Sequence, residues 1–345
     1  MPPLVVEARG SSAHLILNPA AGRGAAFLGR LTGAARERGI RVRVLEAGED
    51  ARHAALEAAE DGAGTLGVAG GDGSVTAVAG VAVERELPLV VVPTGTLNHF
   101  ARDLGLDLAH PLRVLDAFTP GRPERRVDVG LINGRPFINN VSLGVYAEML
   151  GDPRYRREKL RVAQAKLQTA VFDLELRRSL RITPPGGAPL EGVVAVVVSN
   201  NPYELAPLSA LGQRHRLDTG TLQISVLDTS TLDELERLLA GTLLGAIEFR
   251  PGLRHWTSEH MEMGVPGATM RAGVDGEPIT FDAPLRFSAS PAALRVLVPA
   301  GLPASRQVPP LVAGWHAARR LRRWLNPPPA VQKRRADYRS AGALA

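Results

Sequence analysis

Over the first 125 residues, short apolar runs alternate with stretches of helical period. HLILNP (14–19), RVRVLEA (41–47), TLGVAG (65–70) and PLVVVPTG (88–95) read as buried strands closed by turn residues. Between them, GAAFLGRLTGAARERG (24–39) and ARHAALEAAEDG (51–62) read as helices. Strand-helix alternation predicts a parallel sheet covered by helices, and ligands of such sheets collect at the carboxyl ends of the strands. The turns at Asn18, Gly70 and Gly95 all belong to that edge.

Beyond about residue 125 the period changes from helical to alternating. RRVDVGLING followed by RPFINNVSLG predicts a hairpin hinged at Asn133-Gly134. A basic helical stretch at 153–172 precedes β-like runs at 174–182, 192–199, 221–227, 269–274, 278–281 and 285–289. LRVLVPA (294–300) either ends that sheet or returns to the first. The expected fold is an α/β N-terminal domain (1–125) with a parallel sheet, then a mostly antiparallel β-sandwich domain (126–300). A Pro- and Arg-rich tail (301–345) follows, containing a short amphipathic helix.

Length and composition agree with two ordinary cores, since 345 residues exceed what a single core usually fills. The absence of cysteine removes disulfides, thiolate metal sites and thiol nucleophiles, and leads us to expect a cytoplasmic protein. No run reaches the roughly 18 apolar residues of a membrane span. The net charge of +6 is a property of the tail, where nine Arg or Lys stand against Asp337 alone, leaving residues 1–300 near −2. Nucleic-acid binding by the whole chain is therefore not implied.

Four segments carry candidate chemistry. In VAGGDGSVTAVAG (68–80), Gly70, Gly71, Gly73 and Ser74 surround Asp72 where a strand runs into a helix. Bare backbone N–H groups at a helix start can cradle phosphate, and Asp72 would then hold a bridging cation; equally, the segment can be a tight turn with Asp as cap. PTGTLNHFARDLG (93–105) offers a second such turn, with Gly95 and the side chains of Thr96 and Asn98, and NPAAGRG (18–24) a third, with Asn18, Gly22 and Arg23. GVDGEPIT (273–280) reads as a hairpin tip whose Asp275 and Glu277, two residues apart, point to one side and can accept a hydroxyl proton, or as a plain Asp-Gly turn. There is no P-loop, no G-x-G-x-x-G after the first strand, and no protein-kinase catalytic-loop set.

NPAAG, GGDGS, PTGTLNHFARDLG and VDGE, in this order, resemble the diacylglycerol kinase catalytic-domain superfamily, in particular its bacterial soluble lipid kinases, which are similar to sphingosine kinases and, more distantly, NAD kinases. The likeness spans roughly residues 12–300. It implies an NAD-kinase-like ATP-binding domain, a β-sandwich domain, and a cleft where a hydroxyl of diacylglycerol or a related lipid receives the γ-phosphoryl of ATP with Mg²⁺. By position it implies nucleotide contacts at Asn18, Gly70–Ser74, Thr96 and Asn98, proton acceptance by Asp275 and Glu277, and a supporting or rival role for Asp72. The chain departs from the family pattern at Thr76 and Ala77, where an amide and a carboxylate are usual, at His99, and at Leu45, which stands where a threonine is common. A structural Mg²⁺ site of relatives would have Thr219 in place of an acidic ligand, with Asp218 as the stand-in. His255 and His260, five residues apart, suit no helical metal pair.

A lipid substrate requires contact with a membrane surface. GWHAARRLRRWL (314–325) sets Trp315 and Trp324 around four arginines, the makeup of an interfacial helix, though also of a helix docked on the protein. RYRREKLRVAQAK (154–166) offers a second basic face. Two other readings stay open: a kinase for another acceptor, such as a sphingoid or polyprenyl-type lipid or a soluble dinucleotide, and an inactive nucleotide-binding regulator.

Overall fold

The computed structural model describes residues 12–150, 152, 154, 180–190, 193–203, 213–228 and 253–302. The helices expected at 153–172 and 314–325, most of the run at 174–182, and the tail beyond 302 lie outside the described residues.

The alternation of the first 125 residues folds as expected: β1 (Ser12–Leu17), α1 (Gly24–Glu37), β2 (Arg41–Val44), α2 (Ala51–Glu60), β3 (Ala63–Gly70), α3 (Asp72–Glu84), β4 (Leu89–Pro93) and α4 (His99–Asp103). The parallel strands lie in the order β2-β1-β3-β4. Because the right-handed crossovers from β1 to β2 and from β2 to β3 run in opposite directions across the sheet, α1 covers one face and α2 with α3 the other. Leu15, Leu66, Val68 and Val92 are buried between these layers. The reversal of strand order between β1 and β3 creates a crevice at their carboxyl ends.

A 3-10 helix (Pro111–Phe118) leads into β5 (Glu124–Ile132), which turns at Asn133-Gly134 into β6 (Arg135–Phe137), the hairpin the sequence predicts. Both turn residues have positive φ, 46° and 80°, as a two-residue hairpin loop requires. The chain then crosses at residues 138–139 into a second sheet, beginning with β7 (Asn140–Gly144) and continuing through α5 (Val145–Leu150), β8 (Val193–Asn200) and β9 (Leu222–Asp228). The remaining strands are β10 (Leu253–Ser258), β11 (His260–Met263), β12 (Thr269–Val274), β13 (Glu277–Asp282) and β14 (Leu285–Leu297). The second sheet is antiparallel throughout, in the order β10-β9-β8-β7-β12-β13.

The apolar runs at 285–289 and 294–300 form one long strand rather than two. In β14 the register shifts between Ser290 and Leu294, around Pro291 and Ala292 (φ 53°), so the strand bends and continues. Its first half pairs with β11 and β5, and its end runs parallel to β4. The antiparallel end of the first sheet thus faces the second sheet, and Ile132, Phe137, Leu285 and Phe287 from one pack against Val141, Val196, Ile224 and Ala272 from the other. This is the expected β-sandwich beside an α/β layer.

Candidate functional site

Three glycine-bearing turns meet at the crevice between β1 and β3. Asn18 extends β1 by donating its N–H to Ala69 O (2.9 Å), and its Nδ2 reaches across to Ser74 Oγ (2.9 Å). Gly95 N–H donates to Gly70 O at 3.1 Å, which draws the turn after β4 onto the turn after β3. A Cβ on Gly95 would stand 2.5 Å from Gly71 Cα, and one on Gly70 would stand 2.6 Å from Ser74 Cβ. Gly95 is therefore demanded by close approach of backbone to backbone, and Gly70 by the Ser74 side chain packed on it. Gly22 is demanded differently, by its φ of +89°, and its open side faces Thr96 Oγ1.

Gly71 caps α3 in an extended conformation, so the helix begins at Asp72 with its first N–H groups turned to the crevice. Asp72 Oδ1 and Thr94 Oγ1 are buried and have no hydrogen-bond partner among the described residues. A carboxylate oxygen in that condition fits a cation or an ordered donor.

Asp275 and Glu277 come from the tip between β12 and β13. Asp275 (φ 47°) and Gly276 (φ 89°) form the two-residue turn, and Val274 pairs with Glu277 across it. Both carboxylates reach α3, but in different conditions. Asp275 Oδ2 accepts from Thr76 Oγ1 (2.7 Å) and Ile138 N (2.8 Å), and Oδ1 accepts from Asn139 N and Asn140 N (2.8 Å each). The carboxylate thereby satisfies the backbone donors of the corner where the chain leaves one sheet for the other. Burial pushes the Asp275 carboxyl above its ordinary range, and the four donors pull it back by favouring the charged form. Glu277 is exposed and makes no hydrogen bond or ion pair among the described residues. Its Oε1 lies 2.8 Å from where a Cβ on Gly73 would stand, so a free carboxylate overhangs the glycine turn.

The other sequence-predicted residues take up varied positions. The Asn98 side chain closes its own turn, accepting from Gly95 N (2.9 Å) and donating to Gly95 O (2.6 Å), with the residue left-handed and buried. Arg23 donates to Leu108 O and lies over the Phe27 ring, 5.2 Å from its centroid. Leu45 is buried in the α/β core, which accounts for an apolar residue there. His255 and His260 stand on strands of different sheets, β10 and β11.

The region of the structural Mg²⁺ site does not fit a cation. Asp218 is exposed and paired with Arg216 at 2.9 Å. Thr219 donates its N–H and Oγ1 to Asn201 Oδ1, and Gly220 N–H donates to the buried Asp128. Internal hydrogen bonds thus already hold this turn, and among the described residues no three His, Asp or Glu gather as a metal site.

Two groups escaped sequence reasoning. Thr76 looked like a lost amide, yet its hydroxyl is the link from α3 to Asp275. Arg214 belongs to no motif, and it is fully buried against Asp103 of α4. Only its position a few residues before the Asp218 segment could have drawn attention to it.

A glycine-lined strand edge of this kind, at a switch point and at a helix start, places the chain among the phosphate-handling α/β proteins. The diacylglycerol kinase catalytic domain profile matches residues 12–132. A Pseudomonas aeruginosa (strain UCBPP-PA14) protein described as "Probable lipid kinase YegS-like" is 32% identical over 284 residues, covering 79% of this chain and 89% of the relative. A diacylglycerol kinase of Mycobacterium tuberculosis (strain H37Rv) is 26% identical over 298 residues, 82% of this chain and 94% of that one. Among solved structures, a diacylglycerol kinase from Bacillus anthracis str. Sterne superposes with a TM-score of 0.57 at 18% identity, covering 85% of this chain and 98% of that one. A second crystal structure from that organism gives 0.62 at 20% identity, covering 85% and 99%. The chain belongs to the diacylglycerol kinase catalytic-domain family of lipid kinases.

Proposed function

We propose that the protein transfers the γ-phosphoryl group of ATP to a hydroxyl of diacylglycerol or a related lipid. The observation that carries this reading is the overhang of the unpartnered Glu277 carboxylate on the Gly70–Ser74 turn, 2.8 Å from the Gly73 Cβ position. A nucleotide triphosphate would lie along the turns at 18–22, 70–74 and 94–98, held by backbone N–H groups and by Thr96, with the start of α3 at its negative charge. Asp72, through its unpartnered Oδ1, would hold Mg²⁺. That ion binds through one or two carboxylates plus substrate phosphates, and it supplies charge neutralisation on the transferring group.

Glu277 then serves as the proton acceptor. The lipid hydroxyl oxygen forms a bond to the γ-phosphorus, the bond from that phosphorus to the β–γ bridging oxygen breaks, ADP leaves with the bonding pair, and the hydroxyl proton passes to Glu277. Asp275, its lone pairs engaged by four donors, holds the hairpin tip in place. Among the described residues no helix is long and apolar enough to cross a membrane. A bilayer-resident acceptor would be met at the membrane surface, and the Trp- and Arg-bearing segment 314–325 has the composition for that contact.

Incubating the full-length protein with γ-labelled ATP, Mg²⁺ and a fractionated lipid extract tests the proposal. Label in a hydroxyl-bearing lipid fraction is expected. Label in no lipid fraction contradicts it, and label in a soluble dinucleotide alone would replace the acceptor.

A further inference from the structure

Arg214 is fully buried, four of its five guanidinium N–H groups donate hydrogen bonds, and the guanidinium is also ion-paired with Asp103. Nε and Nη2 reach Asp103 Oδ2 at 2.8 and 2.7 Å, Nη1 donates to Ile138 O (2.6 Å) and Asn200 O (2.8 Å), and Nη2 also donates to Asn139 Oδ1 (2.8 Å). The guanidinium carbon stands 5.4 Å from the centroid of the Tyr203 ring. Burial alone would push the Arg214 charge toward neutrality, and Tyr203 and Asp103 more than restore it.

The partners belong to both walls of the site. Asp103 ends α4, the helix that continues the 94–98 phosphate turn. Ile138 and Asn139 form the corner whose N–H groups hold Asp275, and Asp275 begins the two-residue turn that carries Glu277. Asn200 ends β8, the neighbour of β7 in the second sheet, and its Nδ2 donates to Ile138 O as well. If only space had to be filled, apolar side chains would do so without the cost of burying a charge. A planar fork hydrogen-bonded through all three of its nitrogens, by contrast, fixes the relative placement of three chain segments.

We infer that Arg214 is the positioning residue that sets the phosphate turns and the Glu277 hairpin at reacting distance from each other. This rests on the kinase reading above. It follows that loosening Arg214 slows transfer while leaving the glycine turns able to bind nucleotide.

The test uses full-length protein and two variants. Asp103→Leu/Arg214→Met removes both charges together and so avoids an uncompensated buried carboxylate. Arg214→Lys keeps a charge beside Asp103 but cannot hold Ile138 O, Asn139 Oδ1 and Asn200 O at once, and it serves should the double variant fail to fold. Each is assayed well below its melting temperature for kcat and KM in transfer to lipid, and for affinity by titration with a fluorescent ATP analogue. The expected result is a fall in kcat of about a hundredfold, the scale of a 1 Å misplacement, with nucleotide affinity held within about twofold. A folded variant with unchanged kcat, or with kcat and nucleotide affinity falling together, overturns the inference while an active wild type keeps the kinase reading. A wild type that labels no lipid overturns both.

Discussion

Asp275 accepts from four donors, and Glu277 from none among the described residues, although one residue separates them. The two-residue turn explains the split: Asp275 is the turn residue with φ 47°, folded back over the corner at 138–140, while Glu277 already belongs to β13. Replacing Asp275 by Asn leaves one acceptor oxygen and turns an NH₂ group toward backbone N–H donors. The expected loss is about 3 kcal/mol of stability, read as a lower denaturant midpoint at unchanged slope. Their spacing in the sequence made it legible that both carboxylates reach one place. It could not show which one is occupied, because three of the donors lie more than 130 residues earlier in the chain. Thr76 was misread for the same reason, since its partner is 199 residues away.

The turns themselves were legible, because the demand for glycine at a strand end acts over a few residues. The structure adds which physical constraint applies at each. Gly95→Ala puts a methyl group 2.5 Å from Gly71 Cα and 3.0 Å from Asn98 Oδ1, so the two glycine turns must separate. The expected cost is about 1–3 kcal/mol in stability together with weaker binding of a fluorescent ATP analogue, checked by thermal melting and titration. The turn at 218–220 makes the opposite point: it is held by hydrogen bonds to Asn201 and Asp128, 18 and 92 residues away in sequence. Chelation by EDTA should leave the melting temperature of the nucleotide-free protein unchanged, and a downward shift would show a cation that these residues do not suggest. Strands β10 and β11 were not predicted, and two other elements were missed in outline. The bend in β14 hid its continuity behind Pro291, and the crossing at 138–139 cut a predicted strand into β6 and β7, one in each sheet.

On the scale of the whole molecule, the two sheets are joined at places a hydropathy pattern does not reveal. Strand β14 belongs to both the parallel layer and the sandwich, Asp275 fastens the corner between the sheets to α3, and Arg214 ties that corner to α4. The fold class was readable from periodicity because each element is short-ranged in sequence. The alignment of a carboxylate with a phosphate edge was not, because it depends on side chains brought together from distant segments. The central claim is that the overhanging Glu277 accepts the proton of the lipid hydroxyl. Its most direct test is the single-turnover rate of lipid labelling by Glu277→Gln beside wild type, with nucleotide affinity measured on the same samples. The expected result is a loss of about 10²–10⁴-fold in rate at unchanged affinity, the usual contribution of a general base. A variant that labels lipid at the wild-type rate would contradict it.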